Sequence, residues 1–412
     1  MNVRRCASWL PLLAASLLAA ACSSTDARSS GPEDEADASS ADATTESDGG
    51  TRELDASSES ADAGPDAAVR TCSDDGVCHT ALPPSSWLSD VWGDGTGVLW
   101  AVGAVDKQLP GASGLLLRWD GKAWASQTIA AKRLSAIWGS GPTDVWIGGS
   151  DGLFHGTGTS SASLTWTKVL SDPITSIWGS SANDVWATSS ANRFVFDGKV
   201  LHFTGGAAGW EVDPISSRPV AFRKVWGTSG DVWLGGNEDG GCSDVNRCNY
   251  GARAIALHRR PDGAGGFTWS EDDAPDFGGT PFWGSDFTGA ASTTPQNVWL
   301  LGSDGFLDAH FNGTPKIDGS FDWQKGTFGT CHAQLQCEGI QFTRAVWGTS
   351  ANDVYLGGDS GQLRHWNGTT MTLMKVSIDV LPNVASITAM WGSSKDGLWI
   401  VGDQIALHKA TP

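Results

Sequence analysis

A Trp-Gly dipeptide returns seven times along this chain, and a fixed recurrence of that kind constrains the fold more than any local propensity does. It stands at Trp92, Trp138, Trp178, Trp226, Trp283, Trp347 and Trp391, at intervals of 46, 40, 48, 57, 64 and 44 residues. A polar turn and a short apolar run ending in a second aromatic follow most copies, as in GPTDVWIGG, SSANDVWATS, TSGDVWLGG, TPQNVWLLG, TSANDVYLGG and SSKDGLWIVG. A third run closes on aromatic-Asp/Asn-Gly, for example LLLRWDG and LRHWNG, and a fourth opens at Trp124, Trp166, Trp210, Trp269, Trp323 or Met371. Four short apolar runs per repeat, separated by Gly, Asn, Asp and Ser, read as four strands joined by tight turns.

Such a unit is a propeller blade, and seven of them predict an all-β, single seven-bladed β-propeller. The seventh copy stops after its third run, IALHKA. The segment from about Val77 to Pro84 has the phase of a fourth strand, so pairing the two chain ends is expected to close the ring and remove its free edges. Of 22 tryptophans, only Trp9 and Trp87 fall outside the repeat positions. A residue repeating at one phase in every blade is better explained by packing between blades than by a ligand surface.

The pattern resembles the tryptophan-rich WG…DVW repeat propellers of exported bacterial lipoproteins and, more distantly, Asp-box and photosystem-assembly-factor propellers. The resemblance spans about residues 77 to 409. It implies the fold and says little about activity, since propellers host many unrelated functions.

Upstream of the repeats, Arg4 and Arg5 precede an apolar run from Trp9 to Ala21 that is too short to span a bilayer and reads as a secretory signal over residues 1–21. The run ends in LLAAAC, which resembles the bacterial lipobox, with Ala19 where Leu is more usual; the resemblance implies lipidation of Cys22. Ser23 in place of Asp favours, by the same resemblance, the outer membrane, with the domain exposed at the surface or facing the periplasm. From Ser23 to about Thr71 there is no aromatic residue, and thirteen acids face three arginines. Residues 22–71 are therefore expected to be a disordered acidic tether with a reach of roughly 40 Å. Residues 72–412 are the expected propeller. Their balance of 22 Lys and Arg against 33 acids argues against a nucleic-acid partner.

Six cysteines remain beyond Cys6 and Cys22, in three pairs of one spacing: Cys72 and Cys78, Cys242 and Cys248, Cys331 and Cys337. An exported chain with an even count favours three local disulfides; a thiolate metal site would show tighter CxxC spacing.

Asp144, Asp184, Asp231, Asp353 and Asp396 recur between first and second strands, with Asn297 in the fifth copy, and are read as turn caps rather than calcium ligands or catalytic acids. His155, His258, His310, His365 and His408 recur in third strands, too dispersed to share a metal. No cofactor motif, GxSxG elbow or HExxH helix is present. Glu238, Asp239, Glu271, Asp272 and Asp273 leave open a pair of carboxylates for glycoside hydrolysis. Asn312-Gly-Thr and Asn367-Gly-Thr match the glycosylation sequon and are read as turn chemistry.

The departures from the repeat are insertions at Ala104 to Gly114, Asn237 to Ala254, Ser270 to Pro281, and Gln324 to Gln341, all expected on one face, and Asp286 to Gln296, expected on the other. The candidate binding residues are Asn237, Glu238, Asp239, Asn249, Tyr250, His332, Gln334 and Gln336. The expected function is a monomeric, non-catalytic surface lipoprotein that binds protein or glycan through these loops. A glycan hydrolase and a periplasm-facing assembly factor are the alternatives.

Overall fold

Alternating apolar residues in runs of four to ten positions, cut by Gly and Asx turns, produce seven four-stranded antiparallel sheets in the computed structural model. Blade 1 holds β2 (Ser86–Gly93), β3 (Leu99–Val105), β4 (Gly114–Trp119) and β5 (Trp124–Gln127). Blade 2 holds β6 (Leu134–Gly141), β7 (Asp144–Gly149), β8 (Gly152–Thr157) and β9 (Thr165–Leu170). Blade 3 is β10 (Ile174–Ser181), β11 (Asp184–Ser189), β12 (Lys199–Phe203) and β13 (Trp210–Val212). Blade 4 is β14 (Val220–Thr228), β15 (Asp231–Asp239), β16 (Ala252–Pro261) and β17 (Phe267–Glu271). Blade 5 is β18 (Asp286–Thr294), β19 (Asn297–Ser303), β20 (Asp308–Pro315) and β21 (Phe321–Thr327). Blade 6 is β22 (Thr343–Ser350), β23 (Asp353–Gly358), β24 (Leu363–Trp366) and β25 (Met371–Leu373), and a small hairpin of β26 (Ser377–Ile378) and β27 (Leu381–Pro382) follows it. Blade 7 combines β28 (Ile387–Ser393), β29 (Gly397–Gly402) and β30 (Ile405–Lys409) with β1 (Val77–His79) from the other end of the chain.

The described residues are 72–410 except 107–110, 193–194, 207–208, 229, 241–251, 273, 277–282, 304–307, 328–341, 379–380 and 394–396, and all belong to one unit, Ala63–Pro412. Ring closure follows the expected route: Val77 pairs with Lys409, Cys78 with His408 and His79 with Leu407. The strand is shorter than the span from Val77 to Pro84. Its continuation is a single bond from Thr80 N–H to Ala406 O at 2.9 Å, and the prolines, which lack N–H donors, follow. Cys72 and Cys78 are disulfide-bonded just ahead of this seam.

The Trp-Gly dipeptide has a steric reason. A Cβ on Gly139 would lie 2.6 Å from the Trp92 ring of the preceding blade, one on Gly179 2.7 Å from Trp138, one on Gly392 2.7 Å from Trp347, and one on Gly93 2.7 Å from Trp391. Each of these indoles thus lies where its neighbour has no side chain, and Gly227 meets Trp178 in the same way, so five of the seven contacts are laid Trp on Gly. Trp92 and Trp226 are buried on this path, each contributing on the order of 2–3 kcal/mol by burial.

Blade 5 departs from the sequence reading. The aromatic pairs Trp92 with Trp100, Trp138 with Trp146, Trp178 with Trp186, Trp226 with Trp233, Trp347 with Tyr355 and Trp391 with Trp399 face each other across the first two strands, but in blade 5 it is Ala291 that faces Trp299. Trp283-Gly284 is therefore not the fifth repeat dipeptide. Trp283 lies ahead of β18, buried against Phe287 and Phe311. Asp286 to Gln296 is correspondingly not an insertion, because Asp286–Thr294 is the first strand itself.

Candidate functional site

All seven first strands carry a β-bulge at one position, and the bulged residues are Ser89, Ser135, Thr175, Arg223, Thr288, Arg344 and Thr388. The bulge turns a short polar side chain toward the next blade. Ser135 Oγ donates to Ile174 O at 2.5 Å, Thr175 Oγ1 to Phe222 O at 3.1 Å and Thr388 Oγ1 to Leu88 O at 2.8 Å. In each case the acceptor directly precedes the neighbour's bulge, so the hydroxyls stitch the ring. Blades 4 and 6 place arginines at this position, and Arg344 forms a two-point ion pair with Asp359 at 2.6 and 2.9 Å.

Below this collar a cavity of about 490 Å³ runs along the ring axis, lined by first-strand residues of all seven blades. The residue after each bulge is small in five blades, Ala136, Ser176, Gly289, Ala345 and Ala389, and charged in two, Asp90 and Lys224. Asp90 accepts from Val91 N–H at 2.9 Å and from Ile137 N–H of blade 2 at 3.0 Å. Enclosure by the blades nevertheless raises its pKa to about 6, against the pull of those bonds and of Lys224. The same enclosure lowers the pKa of Lys224, with Asp90 opposing the shift. Besides Arg223 of the collar, the channel therefore carries an acid and a base whose charges are weakened by burial and supported by each other. The sequence reading missed both, although aligning the repeats exposes them as the only charged residues in a column of small ones.

Residues 104–114 and 237–254 connect second to third strands, and 270–281 and 324–341 connect fourth strands to the next blade's first, so antiparallel alternation brings the strand ends that they join to the same end of the sheets as the collar. Of the candidate loop residues, Asn237 is buried, its Nδ2 donating to Ser285 O at 3.0 Å and its Oδ1 accepting from Phe287 N–H at 3.4 Å, which ties blade 4 to blade 5. Glu238 belongs to a four-membered ion network. It binds Arg218 and Arg253, and Glu271 binds the same two arginines. Glu271 loses solvent on burial, yet the hydrogen bonds and charges of Arg253 and Arg218 outweigh that and hold its pKa below the usual range. Asp239 is exposed at the end of β15. Asp272 is buried, which raises its pKa, and is gripped by Arg260 at 2.6 and 2.9 Å. Glu238, Glu271 and Asp272 are thus spent on arginines in the described blade edge. Asn249, Tyr250, His332, Gln334, Gln336, Asp273 and the pairs Cys242–Cys248 and Cys331–Cys337 lie outside the described residues, as do residues 1–71 with Cys22.

The repeating Asp and His columns meet inside blades 2, 3, 4 and 6, while Asp396 of blade 7 lies outside the described residues. His155 Nε2 lies 2.5 Å from Asp144 Oδ1, His202 Nε2 2.7 Å from Asp184, His258 Nε2 2.5 Å from Asp231, and His365 Nε2 2.8 Å from Asp353. Ser140, Ser180 and Thr349 add hydroxyl bonds to the other carboxylate oxygen. Every imidazole is stacked on the second-strand aromatic, for example His155 on Trp146 with centroids 3.7 Å apart and His202 on Trp186 likewise. For His258, Arg260 Nε donates to Nδ1 at 3.0 Å, so Nε2 carries the proton toward Asp231. Both ring nitrogens and one ring face are then committed to the blade, and among the described residues no group of three or more metal-ligating side chains forms.

Blade 5 varies this scheme too. Asn312, not His310, faces Trp299, and Asn297 Nδ2 donates to Asn312 Oδ1 at 2.9 Å. His310 is instead half-buried, facing Leu301 and Gly326 in register, its pKa lowered to about 4 by loss of solvent and by Arg364. Asn312 therefore lies within β20 and not in a turn, whereas Asn367 caps a turn by accepting from Thr369 and Thr370 N–H. His202 completes the column that the sequence reading left without a third-blade member.

No known family and no curated protein matches the chain. Solved propellers do. YCF48 bound to a D1 peptide is 15% identical, covering 82% of this chain and 97% of that one with a TM-score of 0.55. YCF48 from Cyanidioschyzon merolae is 13% identical over 81% and 99%, TM-score 0.56. The WD40 repeats of RRP9 are 10% identical over 83% and 99%, TM-score 0.57. At these identities the likeness is one of fold. The chain is a seven-bladed β-propeller of four-stranded antiparallel blades, a class that includes peptide-bound and WD40 members.

Proposed function

We propose that this chain is a non-catalytic cell-envelope lipoprotein, anchored at Cys22 after removal of residues 1–21 and spaced by the tether 22–71, whose propeller binds a protein partner on its loop face. The observation that carries the reading is that the strand ends bearing the four insertions lie at the same end of the ring as the bulge collar, above a channel that holds Asp90 and Lys224. Loops on a rigid scaffold are where recognition usually resides. The repeated Asp–His pairs lend themselves poorly to catalysis, because their polar atoms and ring faces serve the blades. A propeller of this shape solved with a D1 peptide favours a polypeptide over a glycan as the partner.

Replacing the loop from Gln324 to Gln341 by a short turn tests the reading. Capture from solubilised envelope, with intact and loop-replaced chains compared at equal folding by circular dichroism, should recover a discrete polypeptide only with the intact loop. Equal recovery by both chains would remove the loop face from the account. Substituting Cys22→Ser should leave the chain unlipidated and released from the membrane, and protease shaving of whole cells reports whether the domain faces outward.

A further inference from the structure

Six of the seven seams between blades are sealed by aromatic rings, and the register shows how. One residue of the fourth strand always faces the third-strand position after the His column: Trp124 faces Trp119, Trp166 faces Gly156, Trp210 faces Phe203, Trp269 faces Arg259 and Trp323 faces Gly313. Each of these indoles meets, edge to face, the second-strand ring of the preceding blade. Trp399 and Trp124 stand 5.6 Å apart at 87°, Trp100 and Trp166 6.0 Å at 83°, Trp146 and Trp210 5.2 Å at 82°, Trp186 and Trp269 5.8 Å at 86°, and Trp233 and Trp323 6.4 Å at 83°. Between blades 5 and 6 the column holds Met371, and its register partner Trp366 supplies the ring, 6.3 Å from Trp299 at 65°.

Among the described residues the seventh seam lacks the ring. In blade 7 the column falls on Val77, which faces Lys409, because the fourth strand there is the short β1. The second-strand ring it should cover is Tyr355. A cleft of about 590 Å³ opens at this point, with Tyr355, Trp347, His365, Asp353, Leu398 and Leu373 among its walls. At the open seam the side chains of His365 and Asp353 are 29% and 37% exposed, while behind filled seams the corresponding pairs range from 12% to 26% for His and from 18% to 34% for Asp. Acceptors for an indole N–H are also at hand, since Asp75 and Thr372 line the cleft. In two filled seams such a bond is made, from Trp124 Nε1 to Thr80 Oγ1 at 3.0 Å and from Trp269 Nε1 to Asp213 Oδ1 at 3.2 Å.

We propose that the cleft between blades 6 and 7 binds a tryptophan side chain presented by a partner polypeptide, which completes the seam as the chain's own tryptophans complete the six others. The occupant comes from outside, because residues 23–71 contain no aromatic side chain. An aromatic ring set edge to face on Tyr355 gains both burial and the quadrupole term that favours this geometry. The site lies on the outer seam, away from the channel mouth, so it stands or falls independently of the loop-face reading.

The chain has two tyrosines, Tyr250 and Tyr355, which makes fluorine NMR of the full mature protein selective. With 3-fluorotyrosine incorporated into the Tyr250→Phe variant, the remaining resonance reports Tyr355. Titration with N-acetyltryptophanamide should move it saturably, while N-acetylleucinamide and a maltooligosaccharide should not. Lys409→Trp, at the register partner of Val77 that itself lines the cleft, should fill it as Trp366 does in blade 6, shift the resonance without ligand and abolish the response. Leu373→Arg, at a wall residue 60% exposed and so tolerant of change, should weaken binding at least about ten-fold. Absence of a saturable shift, an equal response to the leucine amide or the sugar, or unchanged binding in Leu373→Arg would overturn the proposal.

Discussion

Truncating Trp323 to alanine should open, between blades 4 and 5, a cleft of the kind that exists naturally between blades 6 and 7. Trp323 is 8% exposed, lies over Gly313 and meets Trp233 edge to face. Loss of a buried Trp side chain costs about 3–5 kcal/mol, the cavity included. At about 2 °C per kcal/mol, the lower figure suited to a long chain, the melting temperature should fall by about 6–10 °C. Added indole should then restore part of the loss, because a ligand at ten times its Kd stabilises by about 1.4 kcal/mol, or about 3 °C. Differential scanning calorimetry of Trp323→Ala with and without millimolar indole measures both effects. A drop under about 2 °C, or indole giving the variant no more protection than the parent, would refute the view that these tryptophans seal the seams through burial.

Asp308 makes a pH prediction. Its carboxyl is buried, accepts from Thr343 N–H at 3.0 Å, and has its pKa raised to about 7 by loss of solvent. The native state therefore holds this proton more tightly than the unfolded chain, so the contribution is fully present below about pH 4 and is lost as pH rises through about 7. Urea unfolding between pH 5 and 8 should show Asp308→Asn with a flatter profile than the parent and a relative gain at pH 8; parallel profiles would contradict the shift. Arg218→Ala should leave Glu238 and Glu271 sharing Arg253 alone, at a cost of about 1–2 kcal/mol after allowance for partial exposure. In a double-mutant cycle Arg218→Ala with Glu238→Gln should cost less than the two separate losses, and strict additivity would argue against a connected network. Lys224→Met should raise the pKa of Asp90 further by removing the cation that opposes its burial, a change visible as an upward shift of the Asp90 carboxyl resonance titration in carbon NMR.

The ring was legible in the sequence because packing repeats with it. The eight-residue step from Trp92 to Trp100, Trp138 to Trp146 or Trp391 to Trp399 reflects one hairpin seen in successive blades. The same step would have corrected blade 5, since Ala291 lies eight residues before Trp299 and Trp283 lies sixteen before it. The dipeptide misled because Trp283 is a core residue of a different seam, buried by contacts that leave no mark on its neighbours. The closing strand was legible from phase alone, although the lack of proline N–H donors cut it short. Binding chemistry was less visible. Asn237 and Glu238 stand in an insertion and look available, but Asn237 is held by Ser285 ahead of the next blade, and Glu238 meets Arg218 and Arg253 only once its strand pairs with both neighbours in register. The open seam is hidden for a related reason: Val77 reads as an ordinary strand residue until its pairing with Lys409 places it in a column of tryptophans.

The central claim is that partner recognition occurs at the loop end of the ring. A photo-crosslinking amino acid at Val105, exposed where β3 reaches the loop face, and another at Lys122, exposed in the β4–β5 hairpin at the opposite end, test it within native envelopes. Irradiation should yield a discrete protein adduct from position 105 and none from position 122. Adducts from position 122 alone, or from neither, would contradict it.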